Sequence, residues 1–128
     1  MTVVALVLAA LAALLHVYIF VLESVLWTTP RARNTFGTSE QEAAATRSLA
    51  FNQGFYNLFL AVLVLVGIVV VASGGTAVGL TLVVAGTGSM LAAALVLFTS
   101  DATKRRAATT QGALPLLALL LLGIAALV

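Results

Sequence analysis

Four apolar runs, each long enough to cross a bilayer, leave this chain almost no freedom over what it can become. They run from Thr2 to Trp27, Leu49 to Ala72, Ala77 to Thr99 and Ala107 to Val128. About 20 apolar residues in a helix suffice for a hydrocarbon core of about 30 Å. Inside hydrocarbon a backbone must satisfy its own hydrogen bonds, which helices and closed barrels alone achieve, and these runs lack the alternating pattern of a barrel strand. The expectation is one all-α domain over residues 1–128, an integral membrane four-helix bundle with transmembrane helices at about 2–27, 49–72, 77–99 and 107–128. Only 8% of the residues are charged and the mean hydropathy is +1.21, so little polar surface remains for a soluble domain.

The first run is N-terminal and rich in Ala and Leu, as a secretory signal would be. No Lys or Arg precedes it, however, and it continues too far for a signal h-region, so it reads as a retained helix. The chain has no cysteine, which excludes disulfides, thiolate metal sites and a catalytic thiol. All six basic residues lie between spans: Arg31, Arg33 and Arg47 in the first connection, Lys104, Arg105 and Arg106 in the third. The second connection, Ser73-Gly74-Gly75-Thr76, carries no charge. Lys and Arg accumulate on the cytoplasmic side, so connections one and three are expected inside, with both termini on the extracytoplasmic side. Basic residues confined in this way act as topology determinants; no nucleic-acid partner is expected.

Pro30 fits a helix end near Trp27. Ser39 followed by Glu42 has capping-box spacing, so part of the first connection is expected to extend the second helix from Glu40. In the third span Ala77, Thr81, Ala85, Ser89 and Ala93 recur every four residues, a small-residue row that lets helices approach closely in lipid. Its partner is either a helix of the same chain or a second copy, which would make a homo-oligomer.

Ionisable groups are what lipid tolerates least, and the first span holds two, His16 and Glu23. Seven residues apart on a helix, they differ by about 20° around the axis and about 10 Å along it. Phe20 and Trp27 fall on nearly the same stripe. Intramembrane ionisable residues usually face the bundle interior or a water-filled cavity. The second span opens with Asn52-Gln53-Gly54-Phe55-Tyr56-Asn57, whose polar members occupy an arc of about 140° opposite Phe51, Phe55 and Phe59. The fourth adds Gln111, with Pro115 leaving a backbone carbonyl near residue 111 without its helical donor.

With the expected topology, Glu23, Asn52 to Asn57 and Gln111 all lie in the cytoplasmic half, and His16 lies near mid-membrane. That distribution predicts a polar cavity opening toward the cytoplasm or the inner leaflet. Taken singly, Asn52, Gln53 and Gln111 more often serve as interhelical hydrogen-bond glue, Trp27 and Tyr56 as interfacial aromatics, and His16 as a satisfied core residue. Glu23 is the exception, because an unpaired carboxylate in lipid costs several kcal/mol. The candidate catalytic pair is His16 and Glu23; the candidate ligand-binding residues are Asn52, Gln53, Tyr56, Asn57, Gln111 and Trp27.

The string from His16 through Glu23, then Trp27, then Leu49 to Ala61 with its Asn-Gln-Gly-x-Tyr-Asn element, and finally Gln111-Gly112-Ala113-Leu114-Pro115, resembles the domain of unknown function 1304 family. The resemblance spans the chain. It implies a small bacterial membrane protein of four helices, located in the cytoplasmic (inner) membrane, in which the His, Glu, Asn-Gln-Gly and Gln-Gly positions matter together. It implies no activity.

Three functions fit these residues. The first is binding or acid–base transformation, by isomerisation or hydrolysis, of a small apolar or lipid-like molecule, with Glu23 and His16 as acid–base partners and Tyr56, Asn52 and Asn57 orienting its polar end. A small-molecule or proton-coupled transporter ranks lower, since four spans are few for alternating access and the outer half offers no polar exit. The last is a structural or partner-binding subunit in which the polar cluster is glue. No cofactor is expected; haem or a metal on His16 would have one imidazole, and zinc takes three or four protein ligands.

Overall fold

Each of the four long runs folds into a helix over most of its length, and the short polar connections force consecutive helices antiparallel. The computed structural model describes residues 1–127. Helix α1 (Thr2–Phe20) continues into a π-helical turn, Val21–Val25. A short α2 (Pro30–Phe36) follows, then α3 (Glu40–Ala72), α4 (Thr76–Ser100), a 3₁₀ turn at Ala102–Lys104 and α5 (Arg105–Leu127). Four of these segments are long and apolar enough to cross a membrane.

The ends of the helices follow local chemistry. Ser39 caps α3: its hydroxyl accepts from the Glu42 amide at 3.2 Å, and the Glu42 carboxylate accepts from the Ser39 amide at 2.9 Å. At 33 residues α3 is about 50 Å long, so its first turns extend beyond a hydrocarbon core. Ser39→Ala is expected to cost about 1 kcal/mol and to fray those turns, read as faster hydrogen exchange at Glu42 and Ala43. Unchanged exchange would show that packing alone holds the helix start.

Two boundaries differ from expectation. The first helical run stops at Val25, leaving Trp27 in a turn. Pro30 does not merely end a helix; it opens α2 at the first helical position, where its missing N–H costs nothing, behind the Thr29 cap. Gly37, at φ 64°, closes α2 in the left-handed conformation.

The helices form a four-membered ring. Helix α1 packs against α3 and α5, α4 closes the opposite side between them, and α1 scarcely meets α4. The core is built from small residues: Ala5, Ala9, Ala12 and Ala13 of α1 meet Ala61 and Val64 of α3, Val83 and Met90 of α4, and Ala118 and Leu122 of α5. Without a hydrophobic drive between helices in lipid, close backbone approach and van der Waals packing supply the attraction. The α3–α4 crossing shows how close: a Cβ at Gly79 would stand 2.6 Å from the Gly67 carbonyl oxygen.

On α4 the packed row is Gly79, Val83, Gly86, Thr87, Met90 and Ala94. The row Ala77, Thr81, Ala85, Ser89 and Ala93 is exposed, so its close packing is not made within the chain. Helix α4 carries small residues on two faces, and only one can meet α3 and α5. Large side chains such as Val3, Leu49 and Val96 remain more than 60% exposed, as a lipid-facing surface requires. All six basic residues lie at one end of the ring, with the uncharged Gly74-Gly75 turn at the other.

Candidate functional site

The contact between α1 and α3 at the basic end is organised by Gly54. With no side chain there, the π-helical turn of α1 lies directly on α3; a Cβ at Gly54 would stand 3.0 Å from the Ser24 nitrogen and 3.1 Å from Glu23 Cβ. The π turn is closed by the Leu26 amide on the Val21 carbonyl at 3.0 Å. Such wide turns are frequent at functional sites. Here the turn brings two successive residues onto α3. The Ser24 hydroxyl donates to the Phe51 carbonyl at 2.8 Å, and Glu23 Oε2 accepts from Asn57 Nδ2 at 2.8 Å. Phe20 meets Phe55 edge-on, with ring centroids 5.1 Å apart, on the same interface.

Glu23 is only half-buried. Asn57 Nδ2 also donates to the Gln53 carbonyl at 3.2 Å, so both of its hydrogens are committed and its orientation is set. No group among the described residues donates to Glu23 Oε1. Among the described residues the one sealed side-chain nitrogen or oxygen without a partner is Arg33 Nε, so Glu23 Oε1 retains access to its surroundings. A carboxylate with one oxygen anchored and the other free is geometrically equipped to exchange a proton with a bound molecule.

His16 is buried in the ring interior, 2% exposed. Its Nδ1 lies 2.9 Å from the Ala12 carbonyl. A carbonyl only accepts, so Nδ1 carries the proton, and in the neutral ring Nε2 keeps its lone pair. His16 and Glu23 do not bond each other; each has its own partner, on α1 and α3 respectively.

The remaining candidates divide. Asn52, Gln53 and Tyr56 are exposed on α3, because Gly54 rather than the polar arc takes the helix interface. Gln53 lies one turn before Asn57 on the same side of α3, beside the Glu23 contact, whereas Asn52 and Tyr56 lie about 160° around the helix from Gly54. Trp27 Nε1 donates to Thr46 Oγ1 at 3.1 Å, and its ring lies 5.3 Å from that of Phe36, which fastens the connection to α3. Gln111 lines a cavity on the other flank of α1 and is not gathered with Glu23.

That cavity, about 550 Å³, lies between α1, α5 and α2 at the basic end. Its apolar side is Leu15, Ile19 and Leu22; Phe36 and Gly37 come from α2, and Lys104, Arg106 and Thr110 from the last connection and α5. The Lys104 ammonium donates to the Phe36 carbonyl and ties the two connections together. Arg31 reinforces the rim, donating through Nε to the Tyr18 hydroxyl at 3.2 Å. In the sequence Lys104 and Arg106 read only as topology determinants. The one signal for this cavity was the pair of basic connections meeting at the same end, and α2 as its roof had no periodic signature.

Among the described residues no three of His, Cys, Asp and Glu gather closely enough to hold a metal ion. No curated protein and no solved structure matches the chain. A family model does, over residues 10–123, described as protein of unknown function (DUF1304). It covers α1 from its middle through most of α5, including Glu23, Asn57 and Gln111, and the chain accordingly belongs to the DUF1304 family.

Proposed function

We propose that this protein is a multi-pass protein of the bacterial cytoplasmic membrane that binds a small apolar or lipid-like molecule at the basic end of its bundle. It transforms that molecule by acid–base chemistry, an isomerisation or a hydrolysis. The observation that carries the reading is the half-buried Glu23 carboxylate, with Oε2 held by Asn57 at 2.8 Å and Oε1 free. Glu23 exchanges the proton; Gln53, exposed on α3 one turn before Asn57, meets the polar end of a molecule arriving from the lipid side. His16 lies about two turns deeper, its Nε2 lone pair available to relay a proton through the ring interior.

The test is conversion of a membrane lipid extract by the protein in nanodiscs, followed by mass spectrometry. The wild type is expected to form a product that Glu23→Gln does not form. Conversion by Glu23→Gln at the wild-type rate, or none by the wild type, overturns the reading.

The proposed orientation has its own check. With no native cysteine, Gly74→Cys in intact cells is expected to react with a membrane-impermeant maleimide and Arg105→Cys is not; the reverse pattern would turn the bundle over.

A further inference from the structure

We propose that the cavity between α1, α2 and α5 holds the anionic headgroup of a membrane phospholipid, with Lys104 and Arg106 meeting its phosphate. This goes beyond the reaction assigned to Glu23, which lies on the other flank of α1.

The charge of the cavity selects the ligand. Lys104 and Arg106 line it, and no Asp or Glu does. The one ion pair among the described residues joins Arg33 to Glu40 at 3.3 Å, so neither lining cation has a carboxylate partner. Asp101 and Glu42 lie within the field of Lys104, but neither reaches ion-pair distance of it, and one oxygen of each is engaged elsewhere. Asp101 Oδ1 accepts from the Thr103 hydroxyl at 2.6 Å and the Thr103 amide at 2.9 Å, contacts that hold its carboxyl below the usual range, the hydroxyl most of all. Glu42 Oε2 accepts from the Ser39 amide. Lys104 spends one of its three hydrogens on the Phe36 carbonyl, and two remain.

Shape and depth make the ligand a lipid. A soluble anion needs a polar shell, whereas one wall here is Leu15, Ile19 and Leu22. Cationic and hydroxyl groups occupy the loop side, and the apolar wall belongs to the membrane-spanning part of α1. That polarity follows the order of a phospholipid, head outward and chains inward. Basic pockets between membrane helices near the interface bind anionic headgroups through charge-assisted hydrogen bonds. Gln111, on the α5 side of the cavity, adds amide hydrogens for the remaining headgroup oxygens; the Thr110 hydroxyl beside it donates to the Arg106 carbonyl at 2.9 Å.

The molecule carries its own reporter. Trp27 is the single tryptophan and lies against Phe36, which lines the cavity. Dioctanoyl phosphatidylglycerol titrated into the protein in neutral detergent is expected to change Trp27 fluorescence saturably, and native mass spectrometry to show one retained lipid. Dioctanoyl phosphatidylcholine is expected to bind at least about tenfold more weakly, as is phosphatidylglycerol to Lys104→Gln/Arg106→Gln. Thr110→Leu, which fills the cavity and leaves its charges, is expected to weaken binding as well. Arg105→Gln removes a neighbouring cation that lies over Phe98, outside the cavity, and is expected to change nothing. Glu23→Gln is expected to bind the lipid normally, which separates this site from the proposed reaction.

Equal binding of the two lipids, equal weakening by Arg105→Gln, or saturation of the same signal by inorganic phosphate alone would each overturn the proposal. Should the double variant lose its helicity, Arg106→Gln decides, since Arg106 is exposed and its side chain forms no hydrogen bond or ion pair among the described residues; unweakened binding there overturns the proposal too.

Discussion

Glu23→Gln is expected to lower turnover in the proposed reaction by about two to four orders of magnitude, the usual contribution of a positioned acid or base. The melting temperature should hardly move. Glutamine has nearly the same shape, and its side-chain oxygen can still accept from Asn57 Nδ2, which is fixed by its second bond to the Gln53 carbonyl. The α1–α3 contact therefore survives while proton exchange is lost. Glu23→Asp keeps the carboxylate but withdraws it by one methylene, and should retain a measurable fraction of the rate. Breaking the anchor tests the same geometry from α3. Asn57→Leu leaves the carboxylate without its donor and is expected to destabilise the bundle by about 1–3 kcal/mol, and Glu23→Leu added to it should restore most of that loss. Equal turnover in all these variants would remove Glu23 from the chemistry and leave it a structural group.

Gly54→Leu is expected to be the most damaging single change in the α1–α3 interface, costing about 1–3 kcal/mol by overpacking and abolishing turnover together with stability. The first atom of any side chain there would press on the Ser24 nitrogen, the Ser24 hydroxyl and Glu23 Cβ, two of them fixed by backbone position. To make room, α1 must move away from α3, and the Ser24–Phe51 and Glu23–Asn57 bonds part together. Gly88 and Gly123 supply the comparison. A Cβ at either meets nothing within 4 Å, so Gly88→Ala and Gly123→Ala should be neutral or mildly stabilising through helix propensity. Thermal melts of the three variants in detergent, with helicity followed by circular dichroism, distinguish a specific loss at Gly54 from general sensitivity of membrane helices to substitution.

Much of the architecture is legible in the sequence. Hydrocarbon permits few backbone solutions, so long apolar runs imply spanning helices whatever their tertiary partners. The Ser39–Glu42 capping box and the start of α3 at Glu40 were readable because a cap is closed by residues three apart. Short connections dictated antiparallel neighbours, and the charges gathered at one end for the same reason.

The site was legible only in part. Glu23 stood out because lipid penalises a lone carboxylate, and the need for a partner follows from that alone. Which partner, and which way each helix turns, depends on contacts between segments far apart in the chain. The Asn52–Asn57 stretch has its polar residues on one arc, yet the helix turns Gly54 to its neighbour and leaves Asn52, Gln53 and Tyr56 outside, because backbone approach in lipid rewards the smallest residue. The row Ala77–Ala93 carries the same pattern as the face of α4 that packs, and nothing in the spacing ranks one above the other. Trp27 leaves the expected stripe because the π turn ends α1 early.

The amino-acid sequence by itself therefore determined four helices long and apolar enough to span a membrane, the end that holds the charge and the one carboxylate that demands an explanation. Each of these depends on a transfer or a contact local in the chain. Tertiary structure alone decided that Glu23 meets Asn57, that His16 bonds its own helix, and that α2 and Lys104 roof a cavity on the far side of α1. Those outcomes depend on helix rotation, which is set by where backbones can touch.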